Sequence, residues 1–306
     1  MRFTVEHPVG QPDCDPALYG PAGLPAFARA AENARFDVLA FTEHPAPSLK
    51  WLRNGGHATL DPVAALSFVA ACTSRISIMP YLMVLPYRNP LLAAKSIVSM
   101  DVLSSGRLIL GAGGGYLRSE FSALGVEFEE RGPLFDEALE VLRAVCATDE
   151  FRYEGRHFTA RGVAMSPAPV QRPHPPVWIG GNGLRPRRRI ARAAQGWCPL
   201  ITTAEGAQTT RTAAITSVAE LADAIKELHD LVAEAGRDPA SIGVQVQSPY
   251  SRALGADVSV EEVRDHIGEL TEAGVTQFVT TTPSNSTAAA LEGLARFGEE
   301  IIARQP

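Results

Sequence analysis

Eight short apolar runs with β character divide this chain from end to end, and each is followed by a stretch that reads as an amphipathic helix. The runs cover residues 3–6, 38–42, 76–84, 108–111, 177–180, 197–200, 242–247 and 277–281. Between them, apolar residues recur at three- and four-residue spacing, as in Leu134, Phe135, Ala138, Leu139, Leu142 and Val145. Pro133 suits the first turn of that helix, because a proline there gives up only an N–H that has no partner anyway. Two later helices open on S-x-x-E, Ser217 with Glu220 and Ser259 with Glu262, the spacing of a capping box. "EAGVTQFV" then reads as a helix end, a glycine stop and a strand.

Parallel strands need a crossover between them, so eight β-then-α units in 306 residues predict an α/β fold, a (β/α)8 TIM barrel. A doubly wound sheet would use fewer strands and a proper nucleotide turn. One connection is too long for a plain barrel. Residues 150–176 hold "FRYEGRHF", a hairpin by pattern, and "SPAPVQRPHPPVW", whose prolines favour extended backbone over helix. This predicts an insertion between strands four and five. Residues 201–216 are small and polar and read as a mobile loop. Neither segment is long enough for a second domain, so residues 1–306 are expected to form one.

Composition narrows the function classes. With 45% hydrophobic and 20% charged residues the chain has the make-up of an ordinary globular protein. A net charge of −6 argues against a nucleic-acid partner. "MRFTVEHPVG" has no basic n-region followed by an apolar core, and no stretch approaches the roughly 18 apolar residues of a membrane span. A cytoplasmic protein is expected. Cys14, Cys72, Cys146 and Cys198 form no CxxC pair, and HExxH and GxSxG are absent, so no metal site, disulfide or serine hydrolase is assigned.

In a barrel, catalytic groups sit at the C-terminal ends of the strands. There the chain places "FTEHP", "YLMVLPYRNP", "GAGGGY" and "IGGNG". The glycines are not a dinucleotide fingerprint: GxGxxG would need glycine where Tyr116 or Arg118 stands, and no GKS or GKT follows. What remains is a pair of glycine-rich turns able to aim backbone N–H groups at a phosphate, or two tight turns with no ligand. Glu43 and His44 stand where chemistry would be placed, and His57 and Trp51 lie on the loop that follows.

"PYRNPLLAAKSIVSMDVLSSGRLILGAGGGYLRSEFSALGVEFEERGPLFDEALEVLR", with "PVQRPHPPVWIGGNG" and "RDPASIGV", resembles the luciferase-like monooxygenase superfamily, in particular its actinobacterial branch that uses the deazaflavin coenzyme F420. The resemblance covers nearly the whole chain and implies a luciferase-like barrel. It matches Gly113, Gly114, Gly115 and Tyr116 to the turn that holds the cofactor phosphate, and Gly180, Gly181 and Asn182 to its partner turn. It matches Tyr81 and Leu82 to the place of a non-prolyl cis peptide behind the deazaflavin ring. Glu43 and His44 match the catalytic acidic-His pair, with glutamate where aspartate is more frequent, and His44 is implied as acid or base or as a contact to the ring. Glu120, Arg131 and Glu137 match a stretch expected to form structural ion pairs. One or two arginines of Arg185–Arg189 are candidates to clamp the anionic cofactor, and Tyr81, Met83, Tyr87 and Trp178 to wall the pocket. "AQGW" replaces the usual "GDGW", with Gln195 for the acid. The implied activity is hydride transfer between F420 and a small organic substrate, in a homodimer. FMN-dependent monooxygenation, favoured by Glu43, and non-catalytic flavin binding are the alternatives.

Overall fold

The computed structural model of the protein describes residues 1–11, 13–251 and 258–305. Its strands are β1 Arg2–Glu6, β2 Val38–Phe41, β3 Ser77–Pro80, β4 Met83–Val84, β5 Leu110–Gly113, β6 Phe151–Glu154, β7 Thr159–Val163, β8 Val177–Gly180, β9 Gly196–Cys198, β10 Gly243–Val246 and β11 Gln277–Thr280. All but β6 and β7 join one parallel sheet in the order β3-β2-β1-β11-β10-β9-β8-β5-β4. Both ends of that order are halves of one barrel strand, interrupted at Tyr81–Leu82, whose peptide is cis. Bridges from β4 to β5 and from Ile78 to Leu108 close the ring, so the (β/α)8 architecture expected from the alternation is the one observed.

Each strand is followed by at least one helix on the outside of the ring. The strands are apolar on both faces because both are covered. The outer layer packs Phe3, Leu39, Phe41 and Ile78 against helices carrying Phe27, Leu66, Ile97, Leu142 and Phe297. Inside the barrel, Val38, Ala40, Met79, Ile109, Trp178 and Cys198 form a smaller cluster. The Trp178 ring fills the space of two missing side chains: a Cβ on Gly196 or Gly243 would lie 2.1 or 2.4 Å from it. Trp178 and Met83 therefore belong to the core and do not wall the cavity described below.

The insertion is where the prolines and the hairpin pattern place it. β6 and β7 pair antiparallel. The chain then runs without helix to β8, through cis Ser166–Pro167 and Arg172–Pro173 bonds. Gln171 anchors this run, donating from its backbone N–H (3.0 Å) and its side chain (2.8 Å) to buried Asp101. The small, polar 201–216 segment contains the helix Ala204–Thr209, capped by Thr203 accepting from the Gly206 N–H. The Ser259 capping box forms in full. At Ser217 the reciprocal carboxylate of Glu220 accepts instead from the N–H and hydroxyl of Thr216.

His7, at the end of β1, sets an acid limit on this fold. Its ring is buried between Phe27 and Phe41, with Nδ1 accepting from the Val9 N–H at 3.2 Å. Burial, opposed by the Leu18 backbone, lowers its pKa to about 3. The folded value lies below the unfolded one, so the stabilisation is complete above about pH 6.5 and is lost as pH falls towards 3, at about 1.4 kcal/mol per pH unit. Burial shifts His174 and His266 the same way. Glu32, Glu120 and Glu137, held below the usual carboxylate range, add a second loss only below about pH 4.5. Urea midpoints should therefore fall between pH 7 and 5, and His7→Asn, which keeps an acceptor for Val9, should flatten that slope by about one proton. Equal slopes in the two proteins would exclude His7 as the titrating group.

Candidate active site

All eight barrel strands deliver residues to one cavity of about 590 Å³ at their C-terminal ends, within the range of small-molecule and cofactor sites. Glu6 and His7 come from the first strand, Thr42 to His44 from the second, and Tyr81, Leu82 and Val84 from the broken third. Gly113 to Tyr116 come from the fourth, Gly180 to Asn182 from the fifth, and Cys198 to Leu200, Gln247 and Thr281 from the last three. The positions matched to catalytic or cofactor-binding roles lie on this wall: Glu43, His44, Tyr81, Leu82, Gly113, Gly114, Gly115, Tyr116, Gly180, Gly181 and Asn182.

The four glycines of "GAGGG" do different jobs. Gly111 and Gly113 are strand residues, two positions further along than the run 108–111 suggested. A Cβ on Gly111 would lie 2.3 Å from the Pro80 carbonyl oxygen, so the neighbouring backbone requires glycine there. Gly115 has φ +73° and faces Phe121 and Val84. Gly114 alone meets nothing within 4 Å of its missing Cβ. Across the cavity, Gly180 makes room for Leu82, whose Cδ1 would lie 2.0 Å from its Cβ, and Gly181 adopts φ +106°. Bare backbone thus reaches the cavity from two adjacent strand ends.

Glu43 and His44 point to different tasks, as alternate residues at a strand end do. Both Glu43 oxygens are engaged by the chain itself: Oε2 accepts from the Val84 N–H (2.6 Å) and Arg88 Nη1 (3.3 Å), and Oε1 from Arg88 Nη2. The carboxylate is buried and holds β4 beside the end of β2 across the break at Tyr81–Leu82. His44 faces a second carboxylate, Glu120, with Nδ1 at 3.2 Å from Oε2. Glu120 Oε2 also accepts from the Tyr87 hydroxyl (2.8 Å), and Oε1 from the Ala46 N–H (3.2 Å).

Burial opposes ionisation of Glu120, but the hydrogen bonds from His44 and Tyr87 and the Ala46 N–H outweigh it and hold its pKa below the usual carboxylate range. An ionised Glu120 is acceptor-only, which assigns the proton of neutral His44 to Nδ1 and leaves Nε2 with its lone pair. Nε2 lies 3.3 Å from the Tyr116 hydroxyl. Burial and nearby Glu120 push the Tyr116 phenol well above its ordinary pKa, and burial with the Glu120 hydrogen bond does the same at Tyr87, so both stay proton donors. Trp51, His57 and Tyr116 pack around the His44 ring at 4.6, 4.7 and 5.8 Å between centroids.

Glu120 was expected among structural ion pairs. The structure instead buries it beside His44, and the available signal was its place in the first turn of the helix Arg118–Ala123, just after the glycine turn. Glu137 keeps the structural role, binding His157 of the insertion hairpin. Asn182 is almost wholly buried, and its amide is used on the barrel: Nδ2 donates to the Leu200 and Ala213 carbonyls, and Oδ1 accepts from the Leu200 N–H. Gln195, in place of the acid of "GDGW", accepts from the Val177 N–H through Oε1. Arg187 and Arg189 pair with Glu227 and Asp136, while Arg185 and Arg189 reach the cavity. Among the described residues no group of three or more His, Cys, Asp or Glu could hold a metal ion, and no helix is long and apolar enough to cross a membrane.

An uncharacterised protein of Mycobacterium tuberculosis, Rv0953c, is 32% identical to this chain over 257 residues, covering 78% of the chain and 84% of the relative. F420-dependent glucose-6-phosphate dehydrogenase of Rhodococcus erythropolis is 29% identical over 251 residues, covering 80% of the chain and 69% of the relative. The crystal structure of the monooxygenase RslO1 from Streptomyces bottropensis superposes with a TM-score of 0.80 at 21% identity, over 99% of both chains, and shares the fold. Residues 1–305 match the luciferase-like monooxygenase family, and the chain belongs to that family.

Proposed function

We propose that the protein is a coenzyme F420-dependent oxidoreductase that transfers a hydride between the deazaflavin and a small organic substrate. The His44–Glu120 pair carries this reading, because it sets an imidazole, backed by a buried carboxylate, in a cavity flanked by two bare-backbone turns. The residues present fit such a cofactor. Open space at Gly114 and the left-handed turns at Gly115 and Gly181 allow close approach of a phosphate, and Leu82, packed into the space left by Gly180, gives the cavity an apolar side chain for a ring to lie against.

When bound, the deazaflavin supplies hydride transfer at the carbon that replaces N5 of flavins. The protein does the rest. Nε2 of His44 takes or gives the proton that accompanies the hydride, and Glu120 holds the imidazole in the required tautomer and balances the imidazolium charge. Tyr87 and Ala46 hold Glu120, and Glu43 holds the third strand in place through Val84 and Arg88. In keeping with the resemblance, we take the working unit to be a cytoplasmic homodimer.

A second reading is FMN-dependent monooxygenation, favoured by glutamate at position 43 where the F420 branch more often has aspartate. Fluorescence titration with F420 and with FMN separates the two. The expected result is saturable F420 binding, with FMN binding much more weakly. Tight FMN binding without F420 binding would establish the second reading.

A further inference from the structure

The turn of the insertion hairpin closes over a carboxylate of the neighbouring helix. Of the strand residues in β6 and β7 only Phe151 and Ala160 are buried, so apolar packing holds this two-stranded hairpin thinly. Beneath it lies a second cavity of about 260 Å³, walled by Leu91 from the first turn of the helix Pro90–Leu103, Val141 from the helix Arg131–Ala147, and Phe151, Tyr153 and Phe158 of the hairpin itself. What fastens the hairpin is its turn. Glu137 Oε2 accepts from the His157 N–H at 3.0 Å, and Oε1 accepts from the Tyr153 hydroxyl at 3.4 Å. Gly155 makes room for this carboxylate, because a Cβ there would stand 1.9 Å from Glu137 Oε1.

The His157 ring completes the fastening from two sides. Its Nδ1 meets Glu137 Oε2, and its Nε2 lies 3.1 Å from Oε2 of Glu130, in the single turn Phe128–Glu130 that precedes the helix. Arg156 pairs with the same Glu130 oxygen at 2.9 Å, and Glu140 accepts from the Tyr153 hydroxyl at 3.2 Å, so the charged and titratable groups around the ring come from the hairpin, the turn and the helix together. Burial opposes ionisation of Glu137, but hydrogen bonds from the His157 ring and from the His157 and Arg156 N–H groups, with the His157 charge, outweigh it and hold the carboxyl below its usual range. An ionised carboxylate only accepts, so a ring that bonds to both must carry a proton on each nitrogen. A neutral ring has one N–H and serves one carboxylate, leaving a lone pair against the other. Glu130 stands between Glu129 and Arg131, which line the large cavity, so the same ring ties the hairpin to the wall of the barrel mouth.

We propose that His157 is a pH-sensitive clasp: with both nitrogens protonated it locks the insertion hairpin to Glu137 and Glu130, and when the ring gives up one proton the Glu130 side lets go and the hairpin lifts from the cavity beneath. Imidazole is the side chain suited to such a change near neutral pH. The proton leaves to solvent, which the ring reaches with 20% of its side chain exposed. Glu137 keeps its bond to Nδ1 and to the His157 N–H, so the hairpin loosens at one edge and stays attached at the other. The step involves neither cofactor nor substrate and is independent of the F420 reading.

Hydrogen–deuterium exchange, corrected for the intrinsic rate at each pH, tests the clasp on the unmodified protein and on two variants. In the unmodified protein, protection of the 151–163 amides should fall about tenfold between about pH 6 and about pH 8.5, while protection in the helix Arg131–Ala147 holds constant. In Glu130→Gln the new amide can donate to the Nε2 lone pair, so a neutral ring satisfies both partners and the hairpin should stay protected at both pH values. His157→Gln should show the low protection at both. A hairpin whose protection in the unmodified protein ignores pH overturns the clasp. So does a fall of the same size in Glu130→Gln, which would place the titrating group elsewhere, and so does full protection in His157→Gln. If His157→Gln does not fold, the comparison of the unmodified protein with Glu130→Gln decides the matter alone.

Discussion

Replacing His44 with Asn is expected to lower kcat by about 10²–10⁴, the usual range for removing a positioned general acid or base. Asparagine keeps polarity near the same place but cannot exchange a proton at neutral pH. Glu120→Gln should lower kcat by about 10², because the amide still accepts from Nδ1 but no longer balances a charged imidazole. The double variant should cost little more than His44→Asn alone, since the two side chains act as one unit. Deazaflavin absorbance, followed with any substrate found in a panel of small alcohols, aldehydes and sugar phosphates, measures all three variants. F420 titrations on the same samples separate lost chemistry from lost binding. Full activity in Glu120→Gln would show that the 3.2 Å contact to His44 has no part in proton transfer.

Gly111→Ala and Gly114→Ala should part company, although only three positions separate them. The Gly111 Cβ would meet the Pro80 carbonyl oxygen at 2.3 Å, Met79 Cε at 2.9 Å and Leu82 Cδ2 at 3.0 Å. The carbonyl cannot retreat freely. Pro80 is in register with Phe41, and the Tyr81 N–H that follows donates to the Phe41 carbonyl at 2.6 Å, so a shift there disturbs the seam where the barrel closes. Overpacking costs about 1–3 kcal/mol, and contact with backbone puts this case at the upper end. The Gly111→Ala protein should unfold at clearly lower urea or fail to accumulate as folded protein. At Gly114 the added methyl enters open space, so stability should stay within about 0.5 kcal/mol of the parent, while F420 affinity should drop. Denaturant midpoints and F420 titrations read the two effects. Equal destabilisation by both changes would remove the distinction between a packing glycine and a cofactor-facing one.

Local pattern carried much of this protein. Short apolar runs and helical spacing repeat eight times because each strand is covered on both faces and each helix on one, and burial writes that periodicity into the residues. Pro133, Ser259 with Glu262, and the prolines of 166–176 act within a few residues of themselves, so their effects were visible without a partner. The glycine turns and the Glu43-His44 pair were found because strand ends are where a barrel exposes its chain.

The roles of those residues depended on what came alongside. Glu120 lies 76 positions from His44, and its first-turn helix position is equally consistent with an exposed carboxylate. Trp178 looked like a pocket wall until Gly196 and Gly243 proved to be the space it fills. Arg118, Arg131 and Arg211 meet at the Phe128 ring from separate parts of the chain, and no run in the sequence groups them. Sequence by itself therefore determined the eight β/α units and their order, and where on the barrel a site had to be, since those follow from hydrophobic periodicity over neighbouring residues. Closure of the barrel decided which carboxylate meets His44, which glycine is bare for a ligand, and which arginines meet at Phe128. These depend on distance and burial between residues that the chain itself keeps far apart.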